Sequence, residues 1–259
     1  MIARFAEVCA ADDRVLAAFL AGSHARGAAD AHSDVDLCLV TTDAAYEEVA
    51  GDRAAFVRRL GDPLFLEDFG SPFTSFFILA DGTEGELSVG PESRFHEIHV
   101  GPFRTLLDER GILVGATFPG REPDPDEQLE SARRSVSWFW HELSHFVAAM
   151  GREQLWWAYG QLEALRGHCV NLARLEQRIP AQEDPYEKLD RAISTAALSS
   201  LEATFCPMER GAMLRAGRDI VGFYRDVAPR VARAHGLTYP LELERLMSDR
   251  LDALPPIRR

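Results

Sequence analysis

The sequence predicts an α+β chain in two parts: a mixed β-sheet domain with flanking helices over residues 1–117, then an all-α helical bundle over 124–259. Three observations lead there. Short apolar runs alternate with helix-spaced stretches through the first half. A break rich in proline, glycine and charge, TFPGREPDPD, falls at 117–126. Beyond it the apolar residues recur at helical spacing over long stretches, with 126–151 and 153–178 free of proline.

Taken in order, positions 2–14 carry a helical stripe of Ile2, Phe5, Ala6 and Cys9. Val15 to Ala21 reads as a strand, followed by a Gly/Ser/Ala loop and a second strand near Val35–Val40. Residues 44–60 return to helical spacing. SFFILA at 75–80 and ELSVG at 86–90, joined by DGTEG, form a hairpin signal. RTLLD and ILVG, flanking Glu109–Gly111, read as another short strand pair. After the break, further helices are expected around 187–205, 208–235 and 240–253. The four tryptophans, Trp138, Trp140, Trp156 and Trp157, supply apolar surface for that bundle, and Trp140 and Trp157 read as core.

Composition narrows the class. Apolar residues make up 46% and charged residues 27% of 259, ordinary for a soluble globular protein. No apolar run reaches the length of a membrane span, and the N-terminal stretch lacks a signal-peptide core. Cys9, Cys38, Cys169 and Cys206 stand singly, with neither zinc spacing nor a disulfide framework. A cytoplasmic protein with no membrane partner is the expectation. The net charge of −13 is uneven: residues 1–120 hold 20 acidic against 9 basic side chains. Such a surface repels nucleic acid and attracts cationic ligands or metal ions, although an acidic solvated surface alone would also account for it.

The chemistry lies in Ala18–Val40, AAFLAGSHARGAADAHSDVDLCLV. Side chains alternate along a strand, so Asp34 and Asp36 share one side while Val35, Leu37 and Leu39 take the other. Two adjacent carboxylates repel unless a cation lies between them, and Mg²⁺ favours a few carboxylates together with phosphate oxygens. Gly22 and Ser23 suit a tight turn whose backbone N–H groups face an anion. Arg26 would steady phosphates or pair with Asp30, and His24 is the histidine nearest this turn in sequence.

Gly-Ser, ten residues, then Asp-x-Asp resembles the signature of the DNA polymerase β-like nucleotidyltransferase superfamily. The closest likeness within it is to the aminoglycoside (streptomycin 6-type) adenylyltransferases, which add a helical C-terminal domain. The resemblance implies a third carboxylate on a later strand. In Asp81-Gly82-Thr83-Glu84-Gly85-Glu86-Leu87 the matching place is Glu86, with Glu84 the alternative by register. Phe139-Trp140, Phe146-Val147-Ala148, Gly151 to Leu155 and Leu165-Arg166 extend a looser likeness into the helical half.

The resemblance implies catalysis by Asp34, Asp36 and Glu86, which would also hold Mg²⁺, with Gly22, Ser23, Arg26 and Arg166 binding the nucleotide. ATP would be the co-substrate and a hydroxyl of a cationic small molecule the acceptor of AMP, with an aminoglycoside the expected acceptor. Glu86 would complete the metal shell or accept the hydroxyl proton; Glu142 and Glu153 are rivals as base, and Arg152 is a second phosphate candidate. Three other readings stay open: a catalytically silent or antitoxin-like module on this fold, a transferase acting on lincosamides or another acceptor, and a toxin-like ribonuclease using Arg134 and His141. The sequence leaves the oligomeric state open.

Overall fold

The computed structural model describes residues 1–118, 124–179 and 184–255. The chain divides into two compact units, Met1–Arg121 and Glu122–Arg259. In the first unit, strands β1 (Val15–Leu20), β2 (Val35–Thr41), β3 (Pro63–Glu67), β4 (Thr74–Leu79), β5 (Glu84–Pro91) and β6 (Arg104–Asp108) form a single sheet, ordered β3-β4-β5-β2-β1-β6. β2 and β5 run parallel, and every other neighbouring pair is antiparallel. The sheet is therefore mixed, as expected.

Alternation along the strands gives it two different faces. One carries Ala18, Leu20, Val35, Leu37, Leu39, Phe77, Leu79, Leu87 and Val89. Helices α1 (Ile2–Ala10), α3 (Tyr46–Gly51) and α4 (Arg53–Leu60) cover it with Phe5, Val8, Val49, Phe56 and Val57. At the edge of this layer Asp12 is clamped by Arg14 Nε (2.8 Å) and Arg59 Nη1 (2.5 Å). The other face has its buried apolar cluster at one end. There Ala17, Phe19, Cys38 and Val40 pack under Leu113 and Phe118, with Phe118 5.2 Å from Phe19 and 5.0 Å from Phe103.

Three details depart from the sequence reading. β3 is an additional edge strand. Residues 112–115 form turns rather than a strand, because Asp108 carboxylate oxygens accept from Ile112 N (2.9 Å) and Leu113 N (3.0 Å) and curl the chain back. The stretch 44–60 divides at Asp52, whose side chain caps α4 by accepting from Ala55 N at 3.1 Å.

The second unit is helical throughout its described residues, from α5 (Pro125–Gly151) and α6 (Leu155–Glu176) through α7 (Leu189–Ala192) and α8 (Thr195–Glu202) to α9 (Arg210–Ala234) and α10 (Leu241–Asp252). α5 opens with Asp124 accepting from Asp126 N and proline at its first position. Phe139 stacks on Tyr224 at 3.6 Å, Trp140 meets Tyr224 edge-on at 5.1 Å, and Tyr224 Oη donates to the Val136 carbonyl at 2.6 Å. Trp140 is core, but Trp157 is 37%, Trp138 49% and Trp156 83% exposed, so three of the four tryptophans expected to build the bundle face outward to a large degree. Among the described residues no helix is long and apolar enough to cross a membrane.

Candidate active site

The site grows from the end of β1. The strand runs into a single helical turn, α2 (Gly22–Ala25), and Gly22 adopts φ +53°. Its missing side chain is the point of the turn: a Cβ there would lie 1.7 Å from Asp36 Oδ2. The backbone thus presses directly on a carboxylate, which only glycine permits. Ala21 N donates to the Asp36 carbonyl at 3.0 Å and ties the turn to β2. Ser23 Oγ is buried without a hydrogen-bond partner among the described residues. A buried hydroxyl left unsatisfied is costly in an empty fold and useful where a ligand oxygen is to be met.

On β2, Val35, Leu37 and Leu39 enter the helix-covered layer, which turns Asp36 to the other face. The parallel register sets Asp36 directly beside Glu86 on β5, with Leu37 beside Leu87. Asp34, Asp36 and Glu86 thereby offer carboxylate oxygens that all lie within 4.8 Å of one another. Asp34 is exposed, while the other two are half-buried. Glu84, the register alternative, is exposed and stands outside this group.

The electrostatics fit a cation site. Burial, reinforced by the Asp34 charge, raises the Asp36 pKa above the ordinary aspartate value, against smaller opposing effects from His99, Arg26 and His24. Cys38, the next residue on that face, has its thiol pKa pushed up by burial and by the charges of Asp36 and Glu86. Three hard oxygen donors converging beside an anion-facing turn are the donor chemistry that Mg²⁺ takes. The residues present therefore fit a divalent ion held together with a phosphate-bearing ligand.

His99 was not singled out by its sequence position. It lies in the segment folding over the apolar end of the open face, with its ring 5.8 Å from Phe19 and 5.1 Å from Phe118. Its Nε2 donates to the carbonyls of Gly101 (3.1 Å) and Pro102 (3.0 Å), which fixes the proton on that nitrogen. Only folding brings it to Asp36; no motif signals it.

Arg166 belongs to the helical unit. It sits in the core of the helical unit with its side chain 2% exposed, donating through Nε to Thr204 Oγ1 (2.8 Å) and through Nη2 to the Thr204 carbonyl (3.0 Å), and paired with Glu163. Its guanidinium also lies 4.0 Å from the centre of the Phe205 ring. Each of its three guanidinium nitrogens thus has a partner within the helical unit, and Arg166 ties α6 to the chain at Thr204. Glu142 belongs to the helical unit as well, where it accepts from Trp138 Nε1 at 2.9 Å. Glu153 and Arg152 lie exposed in the turn between α5 and α6.

Among solved structures, the chain is similar to an aminoglycoside 6-adenyltransferase from Bacillus subtilis, at 14% identity and a TM-score of 0.46, covering 98% of this chain and 97% of that one. It is also similar to a nucleotidyltransferase-like protein from Exiguobacterium sibiricum 255-15, at 12% identity and a TM-score of 0.39, covering 86% and 72%. No curated protein sequence matches the chain. The family model for streptomycin adenylyltransferase matches residues 1–253. That span takes in the Gly22–Ser23 turn, the three carboxylates and nearly all of the helical unit, and the chain belongs to the streptomycin adenylyltransferase family, a family of adenylyl-transferring enzymes.

Proposed function

We propose that the protein transfers AMP from ATP to a hydroxyl of an aminoglycoside in a Mg²⁺-dependent reaction whose chemistry belongs to residues 1–117. The observation that carries this reading is the convergence of Asp34, Asp36 and Glu86 within 4.8 Å beside a glycine turn that admits no side chain. Asp34 and Asp36 would hold the cation, with Glu86 at the third corner. Mg²⁺ bound there would offset the negative charge that grows on the transferring phosphoryl group and on the departing pyrophosphate. The first N–H groups of α2 and the unpartnered Ser23 hydroxyl supply donors for phosphate oxygens. Arg26, close enough to bear on Asp36, adds positive potential at the same place.

The acceptor hydroxyl attacks the α-phosphorus, a new O–P bond forms, and the bond to the β-phosphate oxygen breaks with release of pyrophosphate. The hydroxyl proton passes to Glu86, which faces the same side as Asp36 at the third corner of the group. An aminoglycoside acceptor is supported by the family and by the acidic balance of residues 1–120, which favours a polycation over a polynucleotide primer.

The test is incubation of purified protein with ATP, Mg²⁺ and an aminoglycoside panel, with mass spectrometry of the products and measurement of pyrophosphate. An adduct of one AMP per antibiotic molecule is expected. Absence of adduct and of pyrophosphate across the panel, with ATP bound, would reject the acceptor; lincosamide adducts under the same conditions would replace it.

A further inference from the structure

The open face of the sheet does not stop at the carboxylates. Glu86 on β5 lies opposite Phe76 on β4, and Phe76 lies opposite Glu67 on β3. Opposed residues on neighbouring strands point to the same side. Asp36, Glu86, Phe76 and Glu67 therefore form one rung across four strands, and a second rung carries Glu84, Ile78 and Phe65. In the turn after β3, Phe69 lays its ring 5.7 Å from Phe76 and 6.3 Å from Phe65. The result is an apolar, largely aromatic shelf running sideways from Glu86 to the sheet edge, with the carboxylates of Glu67 and Glu84 set among the rings.

Stability does not explain this shelf. Phe69 is 75% exposed, so its ring gains little from burial. It also holds φ +49°, a left-handed conformation that is costly for a bulky residue. The turn is locked around it by Gly70 N donating to Asp68 Oδ1 (2.9 Å) and Ser71 N donating to the Asp68 carbonyl (2.8 Å). Glu67 and Glu84 are exposed and form no side-chain ion pair among the described residues.

Direction follows from the reaction. In an in-line displacement the entering and leaving oxygens lie on opposite sides of phosphorus. The sheet order puts the Gly22–Ser23 turn, at the end of β1, on one side of Asp36, and β4 and β3 beyond Glu86 on the other. With the leaving phosphates on the turn, the attacking hydroxyl arrives from the Glu86–Phe76 side.

We propose that Phe65, Phe69, Phe76 and Ile78, with Glu67 and Glu84, form the acceptor subsite. The rings take the apolar face of a sugar-like molecule, and the two carboxylates take its amino or guanidino groups. The assignment rests on the proposed transfer reaction. Aromatic faces attract cationic groups, and carboxylates hold them through charge-assisted hydrogen bonds, whereas two acids on the shelf oppose an anionic nucleotide.

Two substitutions in the full-length chain, Phe69→Gly and Glu67→Gln, test it, with streptomycin as the probe. Streptomycin is titrated calorimetrically into each protein without nucleotide, and pyrophosphate release is followed against streptomycin and against ATP. Glycine suits φ +49°, so Phe69→Gly is expected to melt no lower than the wild type. It is expected to weaken streptomycin binding and raise the streptomycin KM about tenfold, with the ATP KM unchanged. Glu67→Gln is expected to weaken the same binding about threefold and to flatten its salt dependence. Unchanged streptomycin binding in both variants overturns the assignment, as does a rise in the ATP KM alone, which would make the shelf a base-stacking site. A change of oligomeric state in Phe69→Gly with streptomycin binding intact overturns it in favour of a contact between copies. No streptomycin binding by the wild type also overturns it. Binding that both substitutions weaken, without turnover in any protein, keeps the subsite and rejects the transfer reaction.

Discussion

Gly22→Ala isolates what the turn does. The added Cβ would meet Asp36 Oδ2 at 1.7 Å, and ordinary contact begins near 3.4 Å. Either the turn or the carboxylate must therefore retreat by roughly 1.7 Å, and misplacement by about 1 Å at a reacting centre costs about a hundredfold in rate. The left-handed φ of +53° adds about 1–2 kcal/mol of backbone strain to that displacement. Gly27→Ala is the control. Gly27 also has positive φ, +67°, but nothing lies within 4 Å of its Cβ position, so it carries the strain without the clash. Both variants should lose a few degrees in melting temperature. Only Gly22→Ala should lose pyrophosphate release, by about a hundredfold or more. Turnover within about threefold of wild type in Gly22→Ala, at saturating ATP and Mg²⁺, would refute the argument that this turn and Asp36 form one rigid unit.

Four further outcomes can be checked. Asp36→Asn should abolish transfer yet raise stability at neutral pH without metal. Burial and Asp34 raise the folded-state pKa, so the wild type holds its stability below about pH 4 and loses it as pH rises through the folded value. The melting-temperature gap between the two should accordingly close on acidification, and a gap that widens there would contradict the sign. Glu86→Gln should keep Mg²⁺-dependent ATP binding by calorimetry within about tenfold while lowering kcat by about 10²–10⁴, and an unchanged kcat would remove it as the proton acceptor. ATP binding in EDTA should be far weaker than with Mg²⁺, since carboxylates and triphosphate repel; equal affinities would dispose of the cation site. Arg166→Ala should cost about 1–3 kcal/mol by leaving buried Thr204 without its guanidinium partner, with the ATP KM of the folded fraction unchanged; a raised KM at normal stability would return it to the nucleotide.

The glycine turn and the aspartate pair beside it were legible because their constraint is local. Gly-Ser, the Asp-x-Asp pair and the alternation around them are all written within Ala18–Val40. Alternation with Leu87 and Val89 narrowed the third acid to one face, which Glu84 and Glu86 share, and only the pairing of β2 with β5 separates the two. What escaped depended on distant contacts. β3 is short, begins at proline and follows Gly61-Asp62, so it reads as turn until β4 pairs with it. The chain at 112–115 is apolar like a strand, yet Asp108 captures its N–H groups. Arg166 lies among helical residues of ordinary spacing, and only the position of Thr204, 38 residues on, reveals that it is buried.

The pairing of Asp36 with Glu86 couples catalysis to folding fidelity. The two residues are fifty positions apart and meet through the parallel register of β2 and β5. A slip of one residue between those strands would pair Glu86 with Val35 or Leu37, turning Glu86 into the helix-covered layer and Leu87 and Val89 out of it. The same leucine and valine contacts that stabilise the sheet thus check the alignment of the carboxylates on its reverse side. Chains that settle in the wrong register would be both loosely packed and unable to gather the three carboxylates, so quality control that senses loose packing would also clear chains without the site. Mutations confined to the apolar layer can then lower activity without approaching the substrates, by making that alignment less certain.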